Sequence, residues 1–295
     1  MVNRSIRTTL ILAILLIAFS FSGIVHAQEV ITPDLYTLQA RLEVSNVGDT
    51  VTQYVRVRMP LLTVNSLYGT VVGESYNLQP DEVLDTEGGR IGVFYIRNLS
   101  PGASFALEVN YTIDRSLVVE PEVDAEVDLP IVTSSKIDSE DHAIIQTTHS
   151  VTRNAYGEQA KVQALLDFVH NHIRYDLNST WRNGNAVSAL TYGEGVCEDY
   201  ASLFVSMARV SGIESRMVYG YYYSNTRATW ERHAWAEYRL TEGDWVSVDP
   251  TFGTAIGLGS NGVYIAQSYN DAPIRMGFLG GRISAGISED VKAAQ

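Results

Sequence analysis

The chain has 295 residues, 45% of them hydrophobic and 19% charged, with a formal net charge of −13. That composition excludes a disordered, collagen-like or coiled-coil protein, and the length suits two ordinary domains better than one. Its acidity argues against nucleic acid as a partner, because a duplex-binding protein carries a basic face, and against anionic membrane surfaces.

Residues 1–27 read as a signal peptide: Arg4 and Arg7 make a basic start, Leu10 to Val25 an apolar stretch, and Val25-His26-Ala27 a small-residue cleavage site. The alternative is an uncleaved anchor helix. The stretch has 16 residues, short of the roughly 20 that span a bilayer comfortably, which favours cleavage. The expected location is secreted or otherwise extracytoplasmic, with no integral membrane span after cleavage. Removal leaves 268 residues at a net charge of −15. The chain then holds a single cysteine, Cys197, which has no internal disulfide partner. In an oxidising compartment an unpaired thiol is either a small buried hydrophobe or a group with chemistry to do.

From Gln28 onward the pattern is short strands of alternating polarity, in Leu38 to Val44, Val51 to Met59 and Phe105 to Ile113. Turn signals such as Glu87-Gly88-Gly89 and Pro101-Gly102 separate them. This predicts an Ig-like β-sandwich over 28–125, without a titratable cluster of its own and so a spacer or docking domain. An acidic, proline-flanked stretch, Glu120 to Pro130, reads as an extended connection, with the boundary near residue 125.

Beyond it, over 126–290, the period changes to that of a helix. Val162, Leu165, Leu166, Val169 and Ile173 fall on one face. A second helix fits Cys197 to about Val210, ended by Gly212. Strands follow at Ser215 to Tyr223, His233 to Leu240 and Asp244 to Asp249, so the fold class is α+β.

Gly193-Glu194-Gly195-Val196 sets Cys197 at a helix start, where unpaired backbone N–H groups and the helix dipole favour thiolate over thiol. Glu198 and Asp199 pull the other way. Among the histidines, His170 and His172 are two apart on a helix and do not share a face, whereas His233 opens a strand. A three-residue hairpin loop, Thr241-Glu242-Gly243, sets Leu240 opposite Asp244, so paired positions sum to 484. Asp249 then lies diagonal to His233 on one face, with backbones roughly 7 to 8 Å apart. Cys197, His233 and Asp249 are thus the parts of a nucleophile, base and orienter set.

These residues sit in four blocks: Gly195-Val196-Cys197-Glu198-Asp199-Tyr200-Ala201, Gly212 to Tyr221, His233-Ala234-Trp235-Ala236-Glu237, and Trp245 to Thr251. Together the blocks resemble the transglutaminase-like superfamily of papain-related thiol enzymes in its exported prokaryotic form, over about Ser134 to Gly280. The resemblance implies Cys197, His233 and Asp249 as the triad, and a core in which the cysteine helix packs on an antiparallel sheet carrying the other two. The oxyanion donor is left open: the Cys197 backbone N–H is one half, and Tyr192 or Trp181 is a candidate for the rest. No cofactor is expected, since neither a calcium-binding acid loop nor zinc-ligand spacing is present.

The expected function is thiol-dependent acyl transfer on peptide or amide bonds of a protein or peptide substrate, with cell-surface material as a candidate. The reading leans slightly to a peptidase or amidase over a protein cross-linker. The alternative is a noncatalytic peptide- or surface-binding module on the same scaffold.

Overall fold

The structure, a computed structural model, describes residues 34–293 apart from 87, 117–133, 225–226, 228, 242, 257–262 and 270–273. The expected signal peptide, 1–27, and the acidic connection with its boundary near residue 125 lie outside the described residues.

The first part of the chain forms β1 (Leu35–Asn46), β2 (Thr52–Pro60), β3 (Asn65–Ser66), β4 (Gly69–Tyr76), β5 (Glu82–Thr86), β6 (Gly89–Leu99) and β7 (Ser104–Asp114). Then come α1 (His142–Thr152), α2 (Glu158–His172), β8 (Arg174–Tyr175), α3 (Ala186–Tyr192), β9 (Glu194–Gly195) and α4 (Cys197–Val210). The rest is strand: β10 (Glu214–Ser224), β11 (Thr229–Arg239), β12 (Trp245–Asp249), β13 (Thr254–Ala255), β14 (Val263–Tyr269), β15 (Arg275–Leu279) and β16 (Ile283–Ala293).

Alternate residues of a strand face one side. On β1 these are Leu38, Ala40, Leu42 and Val44, and on β2 Val55, Val57 and Met59, all buried in one core with Leu107, Val109 and Phe94. Two antiparallel sheets, β16-β1-β7-β4-β3 and β15-β2-β6-β5, close over that core as a β-sandwich. Two of these strands come from the far end of the chain. Arg275 to Leu279 pair with β2, and β16 runs along β1 from Tyr36 opposite Ala293 to Asn46 opposite Ile283. Residues 275–290, expected within the second segment, therefore complete the first. Their local pattern is weakly apolar, with Met276, Phe278 and Ile287 exposed, so it gave no sign that they cover open strand edges.

The second core surrounds α4. From Asp199 to Ala208 every residue of this helix is buried, as expected of a helix covered on all sides. The buried faces of α1 and α2, Ile144 with Val162, Leu165, Leu166 and Val169, pack with it. Ala234, Ala236, Tyr238 and Val248 of the sheet β13-β12-β11-β10-β14 meet it too. The protein is thus α+β: a core with its cysteine helix packed on an antiparallel sheet, joined to the sandwich. Among the described residues no helix is long and apolar enough to cross a membrane.

The other face of that sheet meets the sandwich through polar groups. Tyr68, in the turn between β3 and β4, accepts a 2.5 Å hydrogen bond from Trp235 Nε1 and donates to Glu237 Oε1 at 2.9 Å. Its hydroxyl also lies 2.6 Å from Ser247 Oγ. Glu237 is fully buried and paired with Arg216 at 2.6 Å, whose guanidinium stacks between Trp245 and Tyr269 at 4.1 and 4.0 Å from the ring centroids. One phenol thus satisfies three buried side chains. Tyr68→Phe strips that oxygen from all of them, and a loss of about 1–3 kcal/mol is expected, measurable as a lower urea midpoint at unchanged slope.

Candidate active site

The start of α4 is shaped by glycine and a carboxylate. Gly193 ends α3 in the left-handed conformation, φ 61°. The chain then crosses β9, which pairs in parallel with β8, Tyr175 opposite Gly195. A Cβ at Gly195 would collide with the Asp199 carboxylate. Because none is there, Asp199 folds back over the helix start. Its oxygens accept from the backbone N–H groups of Val196 (2.8 Å), Asn183 (3.0 Å) and Gly184 (2.9 Å). Burial raises the Asp199 pKa against the opposing pull of those three donors. Cys197 occupies the first position of the helix and is half-buried.

The hairpin of β11 and β12 has the register that a three-residue loop requires. Arg239 lies opposite Trp245 and Ala236 opposite Val248, so the pairs sum to 484. Odd-numbered residues of β11, His233, Trp235 and Glu237, therefore share a face with Ser247 and Asp249. His233 does not open its strand: β11 begins at Thr229, because pairing with β10 continues to Ser224 opposite Thr229. Gly220 lies directly opposite His233. A side chain there would strike the Ile265 carbonyl and come within 2.8 Å of the Trp235 ring.

Asp249 is fully buried and its two oxygens collect four donors. Oδ2 accepts from His233 Nε2 at 2.6 Å and from the Tyr264 hydroxyl at 2.9 Å. Oδ1 accepts from the backbone N–H of Thr251 at 2.9 Å and of Phe252 at 3.4 Å, the turn that an Asp two residues before the donor favours. His170 of α2 supports this turn, its Nδ1 lying 3.0 Å from the Thr251 carbonyl.

Cys197 lies close enough to the His233 ring to act on its charge, after Asp249. With Nε2 on Asp249, Nδ1 is the nitrogen left for the sulfur. Burial alone would lower the His233 pKa, but the charge and hydrogen bond of Asp249, with the Cys197 contact, outweigh it and push it up to about 10. Phe252 stacks on the ring at 5.7 Å and Tyr222 lies 5.5 Å away.

Trp181 and Tyr192 stack on each other, centroids 3.7 Å apart at 6°, and are 43% and 46% exposed. They form a flat aromatic rim on the loop and helix that lead to Cys197. Tyr175 was not singled out in the sequence. Its phenol pKa is raised by burial first and by the nearness of Cys197 second, which places it beside the thiol. The pairing of β8 with β9 brings it there, and a two-residue parallel bridge leaves no local pattern to read. Among the described residues no cluster of His, Cys, Asp and Glu has the arrangement of a metal site.

A His pKa above its unfolded value of about 6.5 contributes stability that is complete below that value and is lost as pH rises through the folded value of about 10. Unfolding free energies of the wild type should therefore fall between about pH 6.5 and 10 more steeply than those of His233→Gln. Parallel profiles in urea titrations would show that the ring is not held protonated.

Residues 145–250 match the family model described as the transglutaminase-like superfamily. A protein-glutamine gamma-glutamyltransferase of Pseudomonas aeruginosa is 32% identical over 115 residues, 35% of this chain and 17% of that protein. The chain thus spans under a fifth of the length of that relative. Among solved structures, a putative cysteine protease from Cytophaga hutchinsonii superposes with a TM-score of 0.64 at 15% identity, covering 90% of this chain and 92% of that one. The periplasmic domain of TgpA from Pseudomonas aeruginosa gives 0.36 at 19% identity, covering 72% and 87%. The segment that carries Cys197, His233 and Asp249 thus matches the transglutaminase-like superfamily, and the chain shares its fold with the Cytophaga protein.

Proposed function

We propose that this protein is an extracytoplasmic thiol acyl-transfer enzyme acting on peptide or amide bonds, with Cys197 as nucleophile, His233 as acid and base, and Asp249 as orienter. The observation that carries the reading is the His233 ring, bonded through Nε2 to a buried carboxylate at 2.6 Å and near enough to the thiol at a helix start for Cys197 to act on its charge. The extracytoplasmic location rests on the leader-like residues 1–27.

The Cys197 thiolate attacks the amide carbonyl carbon, forming the C–S bond. As the C–N bond breaks, the His233 imidazolium gives its proton to the departing amine, leaving a thioester. An acceptor, water or a second amine, then attacks the thioester carbonyl, yields its proton to His233, and releases the sulfur as thiolate. The backbone N–H of Cys197 at the first turn of α4 serves as one oxyanion donor. Trp181 and Tyr192 remain the side-chain candidates for the other donor, or for binding the substrate flank. Protein or peptide, including cell-surface material, is the substrate class that the exposed aromatic rim suits.

The name of the Pseudomonas relative favours an amine as acceptor. The slight lean toward hydrolysis has a name of its own in the Cytophaga putative cysteine protease, whose likeness at 15% identity is one of fold. Incubation with casein and a fluorescent primary amine separates the outcomes: incorporated label marks transfer, and new termini, or ammonia released without incorporated label, mark hydrolysis. Cys197→Ala should abolish both, and His233→Ala should lower the rate by roughly 100- to 10,000-fold. No product from the wild type, or equal rates in wild type and His233→Ala, would leave the noncatalytic binding module as the better reading.

A further inference from the structure

Two acids follow Cys197 directly, and negative charge near a sulfur disfavours a second anion. Asp199 is spent on three backbone N–H groups. Glu198 faces a different set: its Oε1 accepts a 2.8 Å bond from the Tyr219 hydroxyl and lies 3.3 Å from Lys136 Nζ. The pair is largely shielded, with 18% of the lysine and 16% of the glutamate side chain exposed. The same ammonium donates to the Asn183 carbonyl at 2.7 Å. This is one of three lysines in the chain, and it is placed on the acid adjacent to the candidate nucleophile.

We propose that Lys136 is a positioning residue for the thiol chemistry, cancelling the charge of Glu198 so that the sulfur beside it can be an anion. The inference rests on Cys197 working as a thiolate, the reading above, and identifies a group that permits it. Glu198 and Asp199 lie on the helix of Cys197, Tyr175 on β8, Tyr219 on β10, and His233 on β11 with Asp249 of β12 behind it. Arg227 and Glu231 lie near Tyr175. Within this set His233 and Lys136 are the cations set against the sulfur and against its acidic neighbour, and they act independently: one through its own charge near the thiol, the other by removing an opposing field. A neutral Glu198 would need no lysine, and an unpaired Glu198 held this far from solvent would be costly.

Cys197 is the single cysteine, so iodoacetamide labelling of the whole protein reads it alone. In wild type, labelling at a given pH should be faster than in His233→Ala. Lys136→Met should raise the half-maximal pH by about one unit, roughly tenfold slower labelling near about pH 6. Adding Glu198→Gln to Lys136→Met should restore the wild-type profile, and Lys136→Arg should keep it. If lysine acts only by holding the Asn183 carbonyl, the defect of Lys136→Met survives in the Glu198→Gln background. That result, or a profile that Lys136→Met leaves unmoved, overturns the proposal while the thiolate reading stands. Should Lys136→Met fail to fold, Glu198→Gln alone tests the same charge: it should move the half-maximal pH down, and no shift or an upward one overturns the proposal. A wild type that labels like a free thiol and is indifferent to His233→Ala removes the thiolate reading and this inference together.

Discussion

The buried carboxylate of Asp249 is the constraint on which the arrangement of the site depends. A carboxylate without solvent is tolerable when its lone pairs are occupied, and here donors come from three parts of the chain. His233 arrives from β11, Tyr264 from β14, and the two backbone N–H groups from the turn that follows β12. Each donor fixes something. The turn is fixed because Pro250 has no N–H and leaves the next two residues to donate. Strand β14 is fixed because Tyr264 is committed as a donor, its pKa raised first by burial and then by Asp249. The imidazole is fixed because its Nε2 has one partner and its plane is held by Phe252 and Tyr222.

A second buried carboxylate does the same work at the other end of the site. Asp199 ties the first turn of α4 to the loop at Asn183, a residue that holds a positive φ of 56°. A non-glycine residue in that conformation is sustained by its surroundings. Its N–H is taken by Asp199 and its carbonyl by Lys136. The loop that carries Trp181 is therefore held on both sides of one residue. The two carboxylates that looked like electrostatic obstacles beside Cys197 are each engaged, one by backbone and one by a lysine and a phenol.

Much of this was legible in the sequence where local rules decide. The parity of a three-residue loop fixed which residues of β11 and β12 share a face, and the glycine-rich turn before Cys197 marked a helix start. Apolar spacing located α2 and α4. What was not legible depends on pairing between distant segments. The return of β15 and β16 to the sandwich follows from the unpaired edges of β2 and β1, which attract strands whatever their own weak pattern. The start of β11 at Thr229 depends on β10 extending to Ser224, not on any signal near His233. Tyr175 and Tyr68 were passed over for the same reason: a tyrosine in a short strand or turn looks the same whether it faces solvent or a buried polar group from another layer.

Tyr68 ties the sandwich to the sheet of the site. Without a titratable cluster the domain read as a spacer or docking module, yet its turn reaches the sheet that carries His233. The phenol bonds Trp235, and Trp235 stacks on the imidazole at 6.2 Å and 22°. Along the same face the phenol bonds Glu237, whose Arg216 partner is clamped between two rings. Buried polar networks tolerate little displacement, since a shift that breaks one bond strands its partner away from water. The sandwich therefore limits how far β11 can slide or tilt. Because β15 and β16 lock the far end of the chain into the same sandwich, the sheet is held from both sides in sequence. The chain that leaves Asp249 through β13 and β14 is anchored there, as is the chain that enters through β10 and β11.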